Sequence, residues 1–111
     1  EISTTTPTKA SHLYNDGSIN TLSISAADYG FEVATLDDLK GGMPDENAKI
    51  VTNILNGSDK GKKADIVILN AAAGIFVGGK ANSIKEGIST AREVISSGTA
   101  MNILTKLAAI K

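Results

Sequence analysis

The chain predicts an α/β fold, with an N-terminal β-hairpin region followed by about four helices. Three observations carry this reading. Two β-prone runs before residue 40 flank an Asp-Gly turn, and the hydrophobic period changes to a helical one after Gly41-Gly42. The fourteen residues from Ile66 to Gly79 then carry no charge and one strongly polar side chain, Asn70. Residues 1–40 thus read as strand-rich and 43–111 as helical, within one unit spanning 1–111.

Ser3, Thr4, Thr5, Thr6 and Thr8 surround Pro7, whose missing N–H suits an edge strand or an irregular start and not an interior strand. Lys9–Tyr14 and Ile19–Ile24 form the two arms of a hairpin. Between them, Asn15-Asp16-Gly17-Ser18 supplies the positive φ a tight turn needs. Ser25 precedes Asp28, and Thr35 precedes Asp38, by three residues. Each pair predicts a capped helical turn, ending near Gly30 and Gly41.

Pro44 fits a first helical turn, Asp45 and Glu46 suit the positive end of the helix dipole, and Ile50, Val51, Ile54 and Leu55 share one face before Gly57. The uncharged run enters through Lys60-Gly61-Lys62-Lys63. Ile66–Leu69 alone is compatible with a strand, but its length and the following alanines favour a helix. A bilayer-spanning helix needs about 20 apolar residues, so this shorter run is expected to be the central buried element of a soluble fold. Ser83–Glu86 reads as a capping box, Ile84, Ile88, Ala91 and Ile95 as an apolar stripe, and Gly98 as a stop. Met101, Leu104, Leu107 and Ala108 would form the inward face of a last helix.

A length of 111 residues allows one compact domain or a piece of one. Eleven basic against twelve acidic residues, net −1, leave no electrostatic footprint for nucleic acid or an anionic membrane. The absence of cysteine removes disulfides, thiolate metal sites and thiol nucleophiles, which fits a reducing compartment and makes the cytoplasm the expected location. The chain opens on Glu1 without a signal segment and reads as a fragment.

Gly74-Ile75-Phe76-Val77-Gly78-Gly79-Lys80 imitates a phosphate-binding P-loop up to its lysine. Ala81 then replaces the hydroxyl that would hold Mg2+, and a helical Phe76-Val77 would not free its N–H groups for phosphate. These glycines are expected instead to let a neighbouring backbone approach. His12, the only histidine, lacks partners for a triad or a zinc site and is expected at a surface or interface. Asp37-Asp38 and Asp45-Glu46 sit where helix starts already call for acids. Asn56-Gly57-Ser58 is a glycosylation sequon without a role in a cytoplasmic protein. An amide such as Asn70 inside an apolar helix must find partners or cost about 1 to 3 kcal/mol; it is expected to peg a loop, the Gly41-Gly42 segment being the candidate.

Glu1-Ile2-Ser3, Thr6-Pro7-Thr8-Lys9, Leu39-Lys40-Gly41-Gly42, Glu46-Asn47-Ala48, Leu69-Asn70-Ala71-Ala72-Ala73, Gly79-Lys80-Ala81 and Ser97-Gly98 together resemble the C-terminal third of the anthranilate phosphoribosyltransferase family, in order along the whole chain. The resemblance implies the C-terminal part of a nucleoside phosphorylase/phosphoribosyltransferase catalytic domain. The implied activity transfers a phosphoribosyl group from phosphoribosyl pyrophosphate to anthranilate, with Mg2+ as cofactor, in tryptophan biosynthesis. It also implies a homodimeric parent whose glycine-rich loop and anthranilate-binding residues lie upstream, in a missing N-terminal part.

One site residue carries over. The family has an Asp-Glu pair before this Ile-Ser, both acids ligating magnesium, and Glu1 matches the second of them. A lone carboxylate beside a charged amino terminus should hold Mg2+ poorly, so the isolated chain is expected to be inactive, and no catalytic or substrate-binding residue is assigned within it. The alternatives are a non-catalytic structural module and a pyrimidine nucleoside phosphorylase relative, which shares the implied fold and uses phosphate. Nucleic-acid-binding relatives of that fold would need a basic surface that this chain lacks.

Overall fold

The predicted order of elements is the observed one. A computed structural model describes all 111 residues. Strands β1 (Thr8–Leu13) and β2 (Ile19–Ile24) are followed by a short 3-10 turn at Ala26–Tyr29. Five helices complete the chain: α1 (Leu36–Leu39), α2 (Pro44–Leu55), α3 (Lys62–Val77), α4 (Ile84–Ser96) and α5 (Thr99–Ala108). None is long and apolar enough to cross a membrane.

The hairpin is the only sheet, antiparallel, with Thr8 opposite Ile24 and Leu13 opposite Ile19. Its turn closes as the Asp-Gly pair requires. Gly17 sits at φ +84°, and the Asp16 carboxylate accepts from the backbone N–H and the hydroxyl of Ser18 at 2.9 and 2.6 Å. A two-stranded ribbon is marginal alone in water, and this one is anchored at its base and along one face of β1. There Ile24 is buried and Ala10 packs against the core, while most of β2 is exposed.

Asp38 and Glu46, in the first turns of α1 and α2, cap those helices. The Asp38 carboxylate accepts from the backbone N–H and the hydroxyl of Thr35 at 2.7 and 2.9 Å, and the Thr35 hydroxyl accepts from Asp38 N–H at 3.2 Å. The Glu46 carboxylate accepts from Met43 N–H at 2.8 Å. At α4 the predicted box is only half formed. The Ser83 hydroxyl accepts from Glu86 N–H at 3.1 Å, but the Glu86 carboxylate reaches one residue further back, to the backbone N–H of Asn82 at 3.0 Å and its side-chain amide at 3.1 Å.

The core joins Ile2, Ile24, Ala26 and Phe31 to Leu69 and Ala72 of α3 and Ile88 of α4. Leu69 and Ala72 are fully inaccessible, and burial of a side chain the size of leucine stabilises by about 1.5 to 3 kcal/mol. The predicted stripe of α4 faces inward, with Ile88 and Ala91 buried and Ile84 and Ile95 half-buried. On α3 the expectation of full coverage fails. Val67, Ala71, Gly74 and Val77 lie along one exposed side, Val77 at 81 %. The inward face of α5 is also shorter than expected. Met101 and Leu104 are half-buried, whereas Leu107 and Ala108 are exposed where the helix runs on beyond its neighbours.

The close approach of backbones expected at Gly74, Gly78 and Gly79 occurs elsewhere. A Cβ at Gly74 or Gly79 would meet open space, and one at Gly78 would meet only its own helix. Gly78 and Gly79 end α3 instead, while Gly74 sits within the helix. Gly79 adopts φ +73° and donates to Phe76 O at 3.0 Å, while Lys80 N–H donates to Ile75 O at 3.0 Å, the paired bonds of a Schellman cap. The intimate contact is at Gly87 of α4, where a Cβ would overlap the Ala72 carbonyl oxygen and lie 3.1 Å from Ala72 Cα.

Three substitutions test this packing and capping in the 111-residue chain. Gly87→Ala forces a methyl into the α3 backbone and should lower stability by about 1 to 3 kcal/mol in urea unfolding, despite a better helix former. Gly74→Ala in open helix surface should raise it by up to about 1 kcal/mol. Thr35 N–H, with the Thr35 hydroxyl next, holds the Asp38 carboxyl below its ordinary 3.8. The stability it supplies is complete above that value and is lost as pH falls through the lowered pKa. Asp38→Asn should therefore reduce the thermal midpoint at neutral pH, and its deficit against the parent chain should shrink as pH falls through the lowered pKa.

Candidate functional site

The segment Glu1–Thr8 carries the one residue predicted to do chemistry, and three interactions hold it. The Ile2 side chain enters the core, at 8 % exposure. Ser3 N–H donates to the Thr8 hydroxyl at 2.9 Å, and the Ser3 hydroxyl accepts from Thr5 N–H at 3.0 Å, which folds the hydroxyl-rich run upon itself. The third is Asn70 of α3. Its Oδ1 accepts from Ile2 N–H at 2.8 Å, and its Nδ2 donates to Ile2 C=O at 2.8 Å and to Ile66 C=O at 2.9 Å.

Asn70 is thus the expected peg with a different tether. The Gly41-Gly42 segment is held by Asn47 instead, whose Oδ1 accepts from Gly42 N–H at 2.8 Å and whose Nδ2 donates to Gly42 C=O at 2.9 Å. Sequence reasoning recognised that an amide on an apolar helix needs partners. It missed the partner because Ile2 lies 68 residues away, and no local pattern reports that distance.

The Glu1 side chain makes no hydrogen bond and no ion pair, and the residue is exposed. No group of three or more His, Cys, Asp or Glu residues comes together anywhere to hold a metal. Mg2+ commonly takes one or two carboxylates, with water and substrate phosphate oxygens completing the octahedron. A free carboxylate oxygen at Glu1 fits one such position and no more. Nearby, Thr4 is 2 % exposed and its hydroxyl has no partner, although its carbonyl accepts from Ala34 N–H at 2.9 Å.

His12 is an interface residue inside the chain. Its ring stacks on Tyr14 at 4.1 Å and meets Phe76 edge-on at 5.4 Å, fastening the hairpin to the end of α3. The P-loop-like run is helical through Val77 and offers no anion cradle. A separate cavity of about 530 Å³ lies between α2, α3 and α4, with Ile54, Ile68 and Ile95 beside Asp65 and Arg92. Burial pushes the Asp65 carboxyl up, opposed by Lys62 and then Arg92. The Arg92 guanidinium lies 5.5 Å over the Phe31 ring. None of the residues from Glu1 to Thr8 lines this cavity.

The chain is similar to known proteins. Anthranilate phosphoribosyltransferase from Acetivibrio thermocellus is 48% identical over 104 residues, which cover 94% of this chain and 30% of the relative. The enzyme of the same name from Petrotoga mobilis is 45% identical over 93 residues, covering 84% of this chain and 27% of the relative. The crystal structure of anthranilate phosphoribosyltransferase (TrpD) from Thermus thermophilus superposes with a TM-score of 0.73 at 42% identity, over 78% of this chain and 26% of that one. The chain therefore spans under a third of the length of these relatives. Residues 1–101 match the family described as "Glycosyl transferase family, a/b domain", and the chain belongs to that family.

Proposed function

We propose that this chain is the C-terminal piece of an anthranilate phosphoribosyltransferase, which transfers the 5-phosphoribosyl group from phosphoribosyl pyrophosphate to anthranilate and releases pyrophosphate. The observation that carries the reading is the likeness to enzymes of that name over 94% of the chain at 48% identity. No observation favours a phosphorylase that uses phosphate. The reaction belongs to tryptophan biosynthesis, which we assign to the cytoplasm, and the homodimeric parent belongs to the same proposal.

In this reading Glu1 offers one carboxylate oxygen to Mg2+, and the remaining ligands come from the rest of the protein and the pyrophosphate. When bound, the ion neutralises the charge that gathers on the departing pyrophosphate. The other contribution of the chain is positional. The core, Asn70 and the folded hydroxyl run hold the backbone next to that acid, which limits where its carboxylate can reach. The exposed side of α3, through Val67, Ala71, Gly74 and Val77, is where the remainder of the protein would pack, since water is a poor neighbour for an uncharged helix face.

The test is reconstitution. The 111-residue chain alone should give no turnover, and the full-length protein should form phosphoribosyl-anthranilate only with Mg2+ present. Glu1→Gln in that protein should raise the Mg2+ concentration needed for half-maximal rate. Turnover by the isolated chain, or none by the full-length protein with anthranilate, would refute the reading.

A further inference from the structure

We infer that Asn70 is a positioning residue for the magnesium-binding acid, gripping the peptide unit of Ile2 and thereby fixing the backbone from which the Glu1 carboxylate projects. The inference rests on the proposed role of Glu1 and extends it to a residue on a helix 68 positions away.

The Glu1 side chain has no hydrogen bond or ion pair of its own, so its location is inherited from the main chain at Ile2. Asn70 meets that main chain at both polar groups, accepting from Ile2 N–H and donating to Ile2 C=O, each at 2.8 Å. The second Nδ2 hydrogen goes to Ile66 C=O at 2.9 Å on its own helix. That bond sets the direction of the amide. With nitrogen turned toward two carbonyls, oxygen is left facing the Ile2 N–H.

The chemistry restricts this role to an amide of this length. Aspartate offers no donor and would set a negative charge against two carbonyl oxygens. Glutamine retains both groups but carries them about 1.5 Å further from the helix. Asn70 itself has no free group for substrate or metal, since both Nδ2 hydrogens and the inward lone pair are engaged. Its influence on the reaction must pass through the peptide it holds. Mg2+ demands near-ideal octahedral geometry with ligands at about 2.0 to 2.1 Å, and outer partners of metal ligands typically change affinity by about 10- to 100-fold. The expected signature is therefore in metal affinity, with the anthranilate side of the reaction left alone.

The experiment uses the full-length protein containing this chain, with Asn70→Asp, Asn70→Gln and Glu1→Gln compared after circular dichroism has established folding. Mn2+ serves as the probe, titrated with pyrophosphate present and read by the electron paramagnetic resonance of the free ion. Asn70→Asp should weaken Mn2+ binding by about tenfold and raise the Mg2+ concentration for half-maximal rate by a similar factor. kcat should recover at saturating Mg2+, the KM for anthranilate should stay unchanged, and Asn70→Gln should give a smaller shift of the same sign. Unchanged Mn2+ affinity in folded Asn70 variants, with Glu1→Gln still weakening it, would overturn the positioning role alone. Unchanged affinity in Glu1→Gln would overturn the assignment of Glu1 on which it rests. Failure of both Asn70 variants to fold would make the residue purely structural and overturn the inference as well.

Discussion

Gly87 and Ala72 bring the backbones of α4 and α3 into direct contact, leaving no room for a side chain between them. Much of the molecule is arranged around that contact. With the two helices this close, Leu69 and Ile88 meet in one core, and Ile2, Ile24 and Phe31 can close over them. The same packing aims Asn70, one residue beyond Leu69, at the main chain of the first residues. A largely apolar helix thus joins the two halves of the chain through apolar packing on one side and a single amide on its margin. Buried polar groups are tolerated in such a place only when they are paired, and Asn70 is paired three times.

Charge plays a smaller part and works from the rim. Glu32 pairs with Lys62 at 2.5 Å, and the Lys63 ammonium donates to Asp38 C=O at 2.6 Å. Both tie the short elements before α2 to the start of α3. Exposed pairs of this kind contribute little individually. Here they align a stretch with almost no regular structure, in which α1 spans only four residues. Asp65 is the exception, half-buried and pushed up by burial, with Lys62 and Arg92 as counterweights.

Local chemistry made the elements legible. Asp-Gly marked the hairpin, Thr35 with Asp38 and Pro44 with Asp45 and Glu46 marked helix starts, and each start or turn contains a specific hydrogen bond. What the sequence could not convey was which distant surfaces meet. The glycines of Gly74–Gly79 looked like packing sites, yet Gly78 and Gly79 terminate a helix and Gly74 faces open space, while the true contact glycine, Gly87, sat unremarked inside an amphipathic pattern. The apolar content of Val67, Ala71 and Leu107 called for partners that this chain does not contain. The candidate site was legible only as far as Glu1. The need of Asn70 for partners was visible but not that Ile2 meets it, since hydrogen-bonding capacity is local information and its satisfaction is not.

The two asparagine brackets also bear on which substitutions the fold accepts. An amide that reads a peptide group is blind to the side chain attached to it, so the grip at Ile2 and at Gly42 forbids only proline, the residue without an N–H. Any narrower restriction at those positions has a separate origin. At Ile2 it is the apolar environment around the side chain. At Gly42 it is the Glu46 carboxylate, which fills the volume a Cβ would take. Backbone recognition and side-chain exclusion are therefore independent filters at both positions, and the variation each permits can be told apart residue by residue.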